Sequence, residues 1–76
     1  MYYVIEMQTY DGGQGASIVS THANRNEAMS KYHTVLAAAA ISSVSVHSCV
    51  VMDEEGRYEA RDSYIHRPEP EVTAEE

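Results

Sequence analysis

Apolar and polar residues alternate along two parts of the chain, on either side of a segment with helical periodicity. Tyr2–Tyr10 and Ala16–Thr21 are β-rich and are joined by a glycine-rich loop, which predicts an antiparallel hairpin. Val44–Met52 and Arg57–Ile65 alternate in the same way, and Gly56 between them suits the left-handed position of a bulged turn. The pattern therefore predicts two hairpins.

The central segment has the 3.6-residue periodicity of an amphipathic helix. Asn24 is placed to cap the helix, with Glu27 three residues later as in a capping box, and the helix is expected to end near Ile41. The apolar stripe that should pack on the sheet consists of Ala28, Met29, Tyr32, Val35, Leu36, Ala39 and Ala40.

Three small or apolar residues of the last helical turns, Ala37, Ala38 and Ile41, lie on the opposite side of this helix. They suit close approach of a second helix or subunit. The high helix propensity of alanine explains the same residues without any contact. Both interpretations stay open at this point.

The element order predicts an α+β fold, ββαββ, with a four-stranded, mainly antiparallel sheet and one helix on one face. One helix covers only one face of such a sheet, so a homodimer or higher oligomer is expected. The face predicted to be uncovered contains Tyr2, Val4, Glu6, Gln8, His47, Cys49, Val51 and Arg61. The predicted oligomer contacts are Ala37, Ala38, Ile41, Val4, His47 and Val51.

Charge divides the 76 residues into two parts. Residues 1–66 are expected to form the single ββαββ domain, and 67–76, an acidic segment with two prolines, to be a disordered tail. The formal charge of the whole chain is −7, of which −3 comes from the four acids and one base of 67–76, leaving −4 for the domain. This balance excludes general nucleic-acid binding, which needs a basic surface, but not a small phosphorylated ligand.

Cys49 is the one cysteine, so an intramolecular disulfide and a cysteine-rich zinc site are excluded. The first residues lack the basic and apolar regions of a signal peptide, and the longest apolar run, Val35–Ile41, is far shorter than the ~20 residues of a membrane span. A cytoplasmic protein without membrane association is therefore expected.

Catalytic and metal sites are weakly supported by the residue spacing. His47 and Cys49 share one strand face, but no further ligand-like spacing completes a zinc site. A serine or Cys49 acting with a histidine base would need an activating turn or helix terminus, which a strand centre does not provide. We expect no enzyme activity, no metal and no cofactor.

An anion site is a further hypothesis. Free backbone donors and Arg25 at the helix start could hold a phosphate, especially where subunits meet. The alternative is that Arg25 covers the sheet edge and Lys31 pairs with Glu27. The candidate ligand-binding residues are Arg25, Lys31, His33, Arg57 and Arg61.

Two segments, MYYVIEMQT and NRNEAMSKYHTVLAAAAISSVSVHS, resemble short proteins of gut Firmicutes and their prophages. No activity is established for that group, so the resemblance implies only a phage or mobile-element setting. One expectation in that setting is an oligomeric, non-enzymatic module that counteracts host defence by sequestering a nucleotide-type signal. The alternative is a structural or interaction protein of a phage particle or mobile element, with no small ligand and a host protein as its partner.

Overall fold

The computed structural model describes residues 1–66, which form four strands and one helix. The tail predicted at 67–76 lies outside the described residues. The elements are β1 (Tyr2–Thr9), β2 (Gly15–His22), α1 (Arg25–Ala40), β3 (Val46–Asp53) and β4 (Tyr58–Ile65).

The strands form one antiparallel sheet in the order β2-β1-β3-β4. Since β2 and β3 both run antiparallel to β1, they are parallel to each other, and the connection between them crosses β1 through α1. The predicted α+β class and the ββαββ order are confirmed.

The local signals at the element ends act as predicted. The Asn24 Oδ1 accepts a hydrogen bond from the backbone N–H of Glu27 at 2.9 Å, which starts the helix. Gly13 and Gly56, in the two hairpin turns, both have a φ of 86°, a conformation that L side chains rarely adopt.

The core lies between α1 and one face of the sheet. Val4 and Val51 are 1% and 0% exposed and pack with Cys49 against Tyr32 and Val35 of the helix. Burial of apolar side chains on this face is the main favourable term that holds the two layers together.

The prediction of which residues form the uncovered face is wrong for all but Arg61, because the helix packs on the face that contains the others. Val4, His47 and Val51, predicted as oligomer contacts, are at most 4% exposed and are not available to another subunit in this fold. Arg61 does lie on the uncovered face, since it is paired in register with Val50.

The opposite side of the helix is as predicted. Ala37 and Ala38 are exposed, and Ile41, just beyond the helix, is 87% exposed. Whether they contact a second subunit stays a prediction. Among residues 1–66, no helix has the length and apolar character needed to cross a membrane.

Candidate functional site

The sheet face that α1 does not cover is called the open face below. Residues directly opposite each other in antiparallel strands point to the same side, so the strand register assigns every side chain to a face. Its apolar side chains are Tyr3, Ile5, Met7, Val19, Val46, Val50, Met52, Tyr58 and Ile65.

Arg61 is the one charged residue that these four described strands direct to the open face. Its guanidinium carbon lies 5.2 Å from the centre of the Tyr58 ring, at cation–π distance. Within residues 1–66 Arg61 has no acidic partner at ion-pair distance. The face thus has two tyrosines, two methionines, one arginine and no acid, and the core of an interface is enriched in the same residue types.

An open groove of about 540 Å³ runs along the part of this face formed by β3 and β4. The Ser48 and Ser63 side chains, opposite each other in register, contribute hydroxyl groups to its wall. The groove therefore combines a cation, an aromatic ring, hydroxyl groups and apolar surface. Asp62 and Cys49 also line the groove, although the register directs their side chains to the helix side of the sheet. Its lining residues are Met7, Val46, Ser48, Cys49, Val50, Tyr58, Arg61, Asp62 and Ser63.

The five candidate ligand-binding residues are not gathered at one place. The Arg25 Nε donates to Glu59 Oε1 at 3.1 Å, which joins the helix start to β4. Arg57 pairs with Glu55 in the turn before β4. Of the five, only Arg61 lies on the open face.

Lys31 and His33 are exposed residues of α1, on the other side of the sheet from Arg61. The positive charge of Lys31 acts on Glu6, and His33 packs edge-on against the buried Tyr32. The helix and the groove are therefore separate surfaces.

A polar cluster lies beneath the C-terminal part of the helix. The His47 Nε2 is 2.6 Å from Glu6 Oε2, and its Nδ1 is 2.9 Å from Ser42 Oγ. An ionised Glu6 can only accept, so the His47 Nε2–H donates to it, while Nδ1 shares a hydrogen bond with the Ser42 hydroxyl. The Gln8 Nε2 also donates to Glu6 Oε2, at 3.1 Å.

Glu6, His47 and Ser42 follow the acid–imidazole–hydroxyl order of a hydrolase triad. His47 is 4% exposed, however, and the groove lies across the sheet, lined by the other side of β3. The Ser42 Oγ also accepts the backbone N–H of Val44 at 3.4 Å. These contacts connect the segment after the helix to β1 and β3.

Two pKa shifts describe the electrostatics under the helix. Burial is the largest single influence on Glu6 and raises its pKa, but the hydrogen bonds from His47 and Gln8 and the nearby positive charge together outweigh it, so the pKa is lowered. Burial raises the pKa of the Cys49 thiol to about 11, which keeps it protonated and unreactive at neutral pH.

A metal centre has no support in residues 1–66, where no group of three or more histidine, cysteine, aspartate or glutamate side chains is placed to hold an ion. His47 and Cys49 do share a face, as predicted, but it is the buried one.

Sequence reasoning missed Tyr58, Ser48 and Ser63, which surround Arg61 in the groove. The spacing of Tyr58 and Arg61 is odd, which predicts opposite faces in a regular strand. The register shift between Val51 and Met52 brings them to the same face. A bulge of this kind leaves no clear signal in the sequence.

The chain matches no protein-family model, no curated protein and no solved structure at the significance required of a match.

Proposed function

We propose that the protein is a non-enzymatic binding module that self-associates through the open face and holds a phosphorylated small ligand of the nucleotide type beside Arg61. The observation that carries this proposal is an apolar face whose single charge, Arg61, adjoins the groove of about 540 Å³. The resemblance to prophage proteins supports a role in a phage or mobile element, where sequestering a host signal would counteract defence.

Self-association is supported by the size of the face. Four strands of eight residues, about 4.8 Å apart and rising about 3.3 Å per residue, cover about 500 Å². Two such faces bury about 1,000 Å² in total, the area at which a specific interface begins. A second copy of the chain meets this requirement with a face of the same apolar character.

Charge also favours a second copy of the chain as the partner of the open face. The chain carries −7, so two copies repel one another at long range. The acids of the four strands (Glu6, Asp53, Glu59 and Asp62) are absent from the open face, so two open faces meet without an acid pair between them.

The ligand chemistry follows from the groove. A guanidinium group binds phosphate through two parallel hydrogen bonds, and this interaction is stronger where water is excluded. Apolar side chains such as Met7 and Val50 offer surface for a base or another planar group. Pairing of two open faces would enclose this ligand between subunits, so the ligand should favour the dimer.

Solution mass tests the self-association step. We expect wild-type protein to sediment as an oligomer at micromolar concentration, and Met7→Lys to lower its mass at least twofold. Met7 lies on a central strand between Ser17 and Ser48, and its side chain is 38% exposed, so lysine is tolerated in the monomer. Ile41→Lys is the matched control for an exposed apolar residue elsewhere.

A monomeric wild type would contradict the proposal. Loss of the oligomer in Ile41→Lys but not in Met7→Lys would also contradict it and would favour the predicted contact near the end of α1.

Titration calorimetry tests the ligand step with three probes: inorganic phosphate, a nucleoside and the corresponding nucleoside 5′-monophosphate. We expect saturable binding of the monophosphate, weakened at least tenfold by Arg61→Gln and unchanged by Arg57→Gln. Arg57 is an exposed arginine of the same hairpin and pairs with Glu55, so it reports non-specific charge effects.

The second candidate is a structural or interaction protein that has no small ligand. The near absence of charge from the open face favours it, because an interface core has the same composition. A confirmed oligomer that binds none of the three probes at millimolar concentration supports this candidate and refutes ligand sequestration. A host protein that competes with self-association for the open face would identify its partner.

A further inference from the structure

The two edge strands of the sheet differ in how they are protected against pairing. The β4 edge has a register shift opposite Val51 and Met52 and carries Glu59, Arg61 and Asp62. A bulge and charged side chains are the usual devices that prevent strand addition. The β2 edge has a regular register with β1 and contains no proline, aspartate, glutamate, lysine or arginine, and its one titratable side chain is that of its last residue, His22.

The hairpin turn determines which backbone groups of β2 are free. The backbone N–H of Tyr10 donates to the carbonyl of Gln14 at 2.8 Å, so that pair is hydrogen-bonded. Such pairs alternate with non-hydrogen-bonded pairs along an antiparallel ladder. Ser17, Val19 and Thr21 therefore direct N–H and C=O groups away from β1, and all three residues are exposed.

We propose that the β2 strands of two copies pair antiparallel about a two-fold axis at Ile18. In this register Ser17 lies opposite Val19 of the partner subunit, and Gly15 lies opposite Thr21 of the partner subunit, so every outward backbone group of β2 gains a partner. Ile18, which is 56% exposed and is directed to the helix side of the sheet, meets its own symmetry copy.

The distribution of charge favours a second copy of the chain as the partner of the β2 edge. An acidic chain approaches itself with least repulsion along a strand that carries no carboxylate. A two-fold axis perpendicular to the sheet keeps both helices on one side and joins the two open faces on the other.

The edge contact is independent of the face contact proposed above. Together the two contacts give a closed assembly of four subunits, in which two continuous eight-stranded sheets stack through their open faces. The doubled face raises the area buried between the layers to about 1,000 Å² on each side, well within the range of stable complexes.

Cysteine cross-linking tests the register directly. Across the two-fold axis the two Ile18 Cα atoms would be about 4.5 Å apart, within disulfide range, whereas the two Ala16 Cα atoms would be about 14 Å apart. With oxidised glutathione at micromolar protein concentration, we expect Ile18→Cys to form a covalent dimer at least tenfold faster than Ala16→Cys. Wild type gives the baseline from Cys49, which is 1% exposed.

Equal rates for the two variants, no covalent dimer, or faster cross-linking of Val19→Cys would each overturn the proposal. Repeating the Ile18→Cys reaction in the Met7→Lys variant separates the two contacts. Persistence of the cross-link there supports an edge contact that needs no face pairing. Its disappearance shows that the cross-link depends on the face, and it overturns the edge proposal.

Discussion

At the residue scale, the contact between Glu6 and His47 shows how a polar pair can be placed in the core of a small protein. Each group would be costly to bury alone, and each instead satisfies the other across two neighbouring strands, with Ser42 on the far side of the ring. The sequence correctly put Glu6 and His47 on one face. It could not predict their contact, because alternation does not say which strands are neighbours.

The pH dependence of stability tests this pair. The pKa of Glu6 is lowered in the folded state, so its contribution is complete above about pH 4.5, the ordinary value, and is lost as the pH falls through the folded pKa. We expect His47→Leu to lower the free energy of unfolding at pH 7 by about 2 kcal/mol, because Glu6 loses a buried partner. Urea unfolding at pH 7 measures the first effect, and the change in the free energy of unfolding between about pH 5 and pH 3.5, where carboxyl groups rather than imidazoles titrate, measures the second.

In His47→Leu, burial raises the pKa of Glu6 without the opposing hydrogen bond, so less stability is lost on acidification than in wild type. Asp53, whose pKa is lowered chiefly by the backbone N–H of Arg57, contributes equally to both proteins and cancels in the comparison. An acid loss of the same size in the two proteins would show that Glu6 does not depend on His47.

At the element scale, the strands and the helix were predictable within two residues, because alternation, glycine turns and the Asn24 cap are local signals. The face of the sheet that the helix covers could not be predicted from the sequence. Val4 with Val51 and Ile5 with Val50 form equally apolar pairs on opposite faces. The choice between them is made by the handedness of the crossover from β2 through α1 to β3, which depends on a strand order that the sequence does not state.

The helix start provides a test at this scale. Asn24→Ala removes the acceptor for the Glu27 N–H, so we expect the free energy of unfolding to fall by about 1 kcal/mol. Ser30→Ala is the control, since Ser30 is an exposed mid-helix residue and alanine should stabilise the helix by roughly 0.5 kcal/mol. Thermal and urea unfolding followed by circular dichroism measure both. Equal effects of the two substitutions would mean that the cap does not limit helix stability.

At the scale of the whole molecule, the elements of residues 1–66 leave half of the sheet surface without a covering layer. The length of the chain and its single helix predict this from the sequence alone. Which residues form that surface follows only from the register, and the groove beside Arg61 follows only from the bulge. A small two-layer fold of this kind gains its missing layer by association, so its stability should depend on its own concentration.

Thermal unfolding over a range of concentrations measures this dependence. If folded subunits are paired and unfolded chains are not, mass action raises the melting temperature by about 5 °C for each tenfold increase in wild-type concentration. Met7→Lys should depend less on concentration than wild type, because only the β2 edge contact remains in it, whereas Ile41→Lys should follow the wild type because Ile41 lies away from the open face. If the melting temperature of wild type does not change with concentration, self-association does not cover the open face, and the proposed oligomer is contradicted.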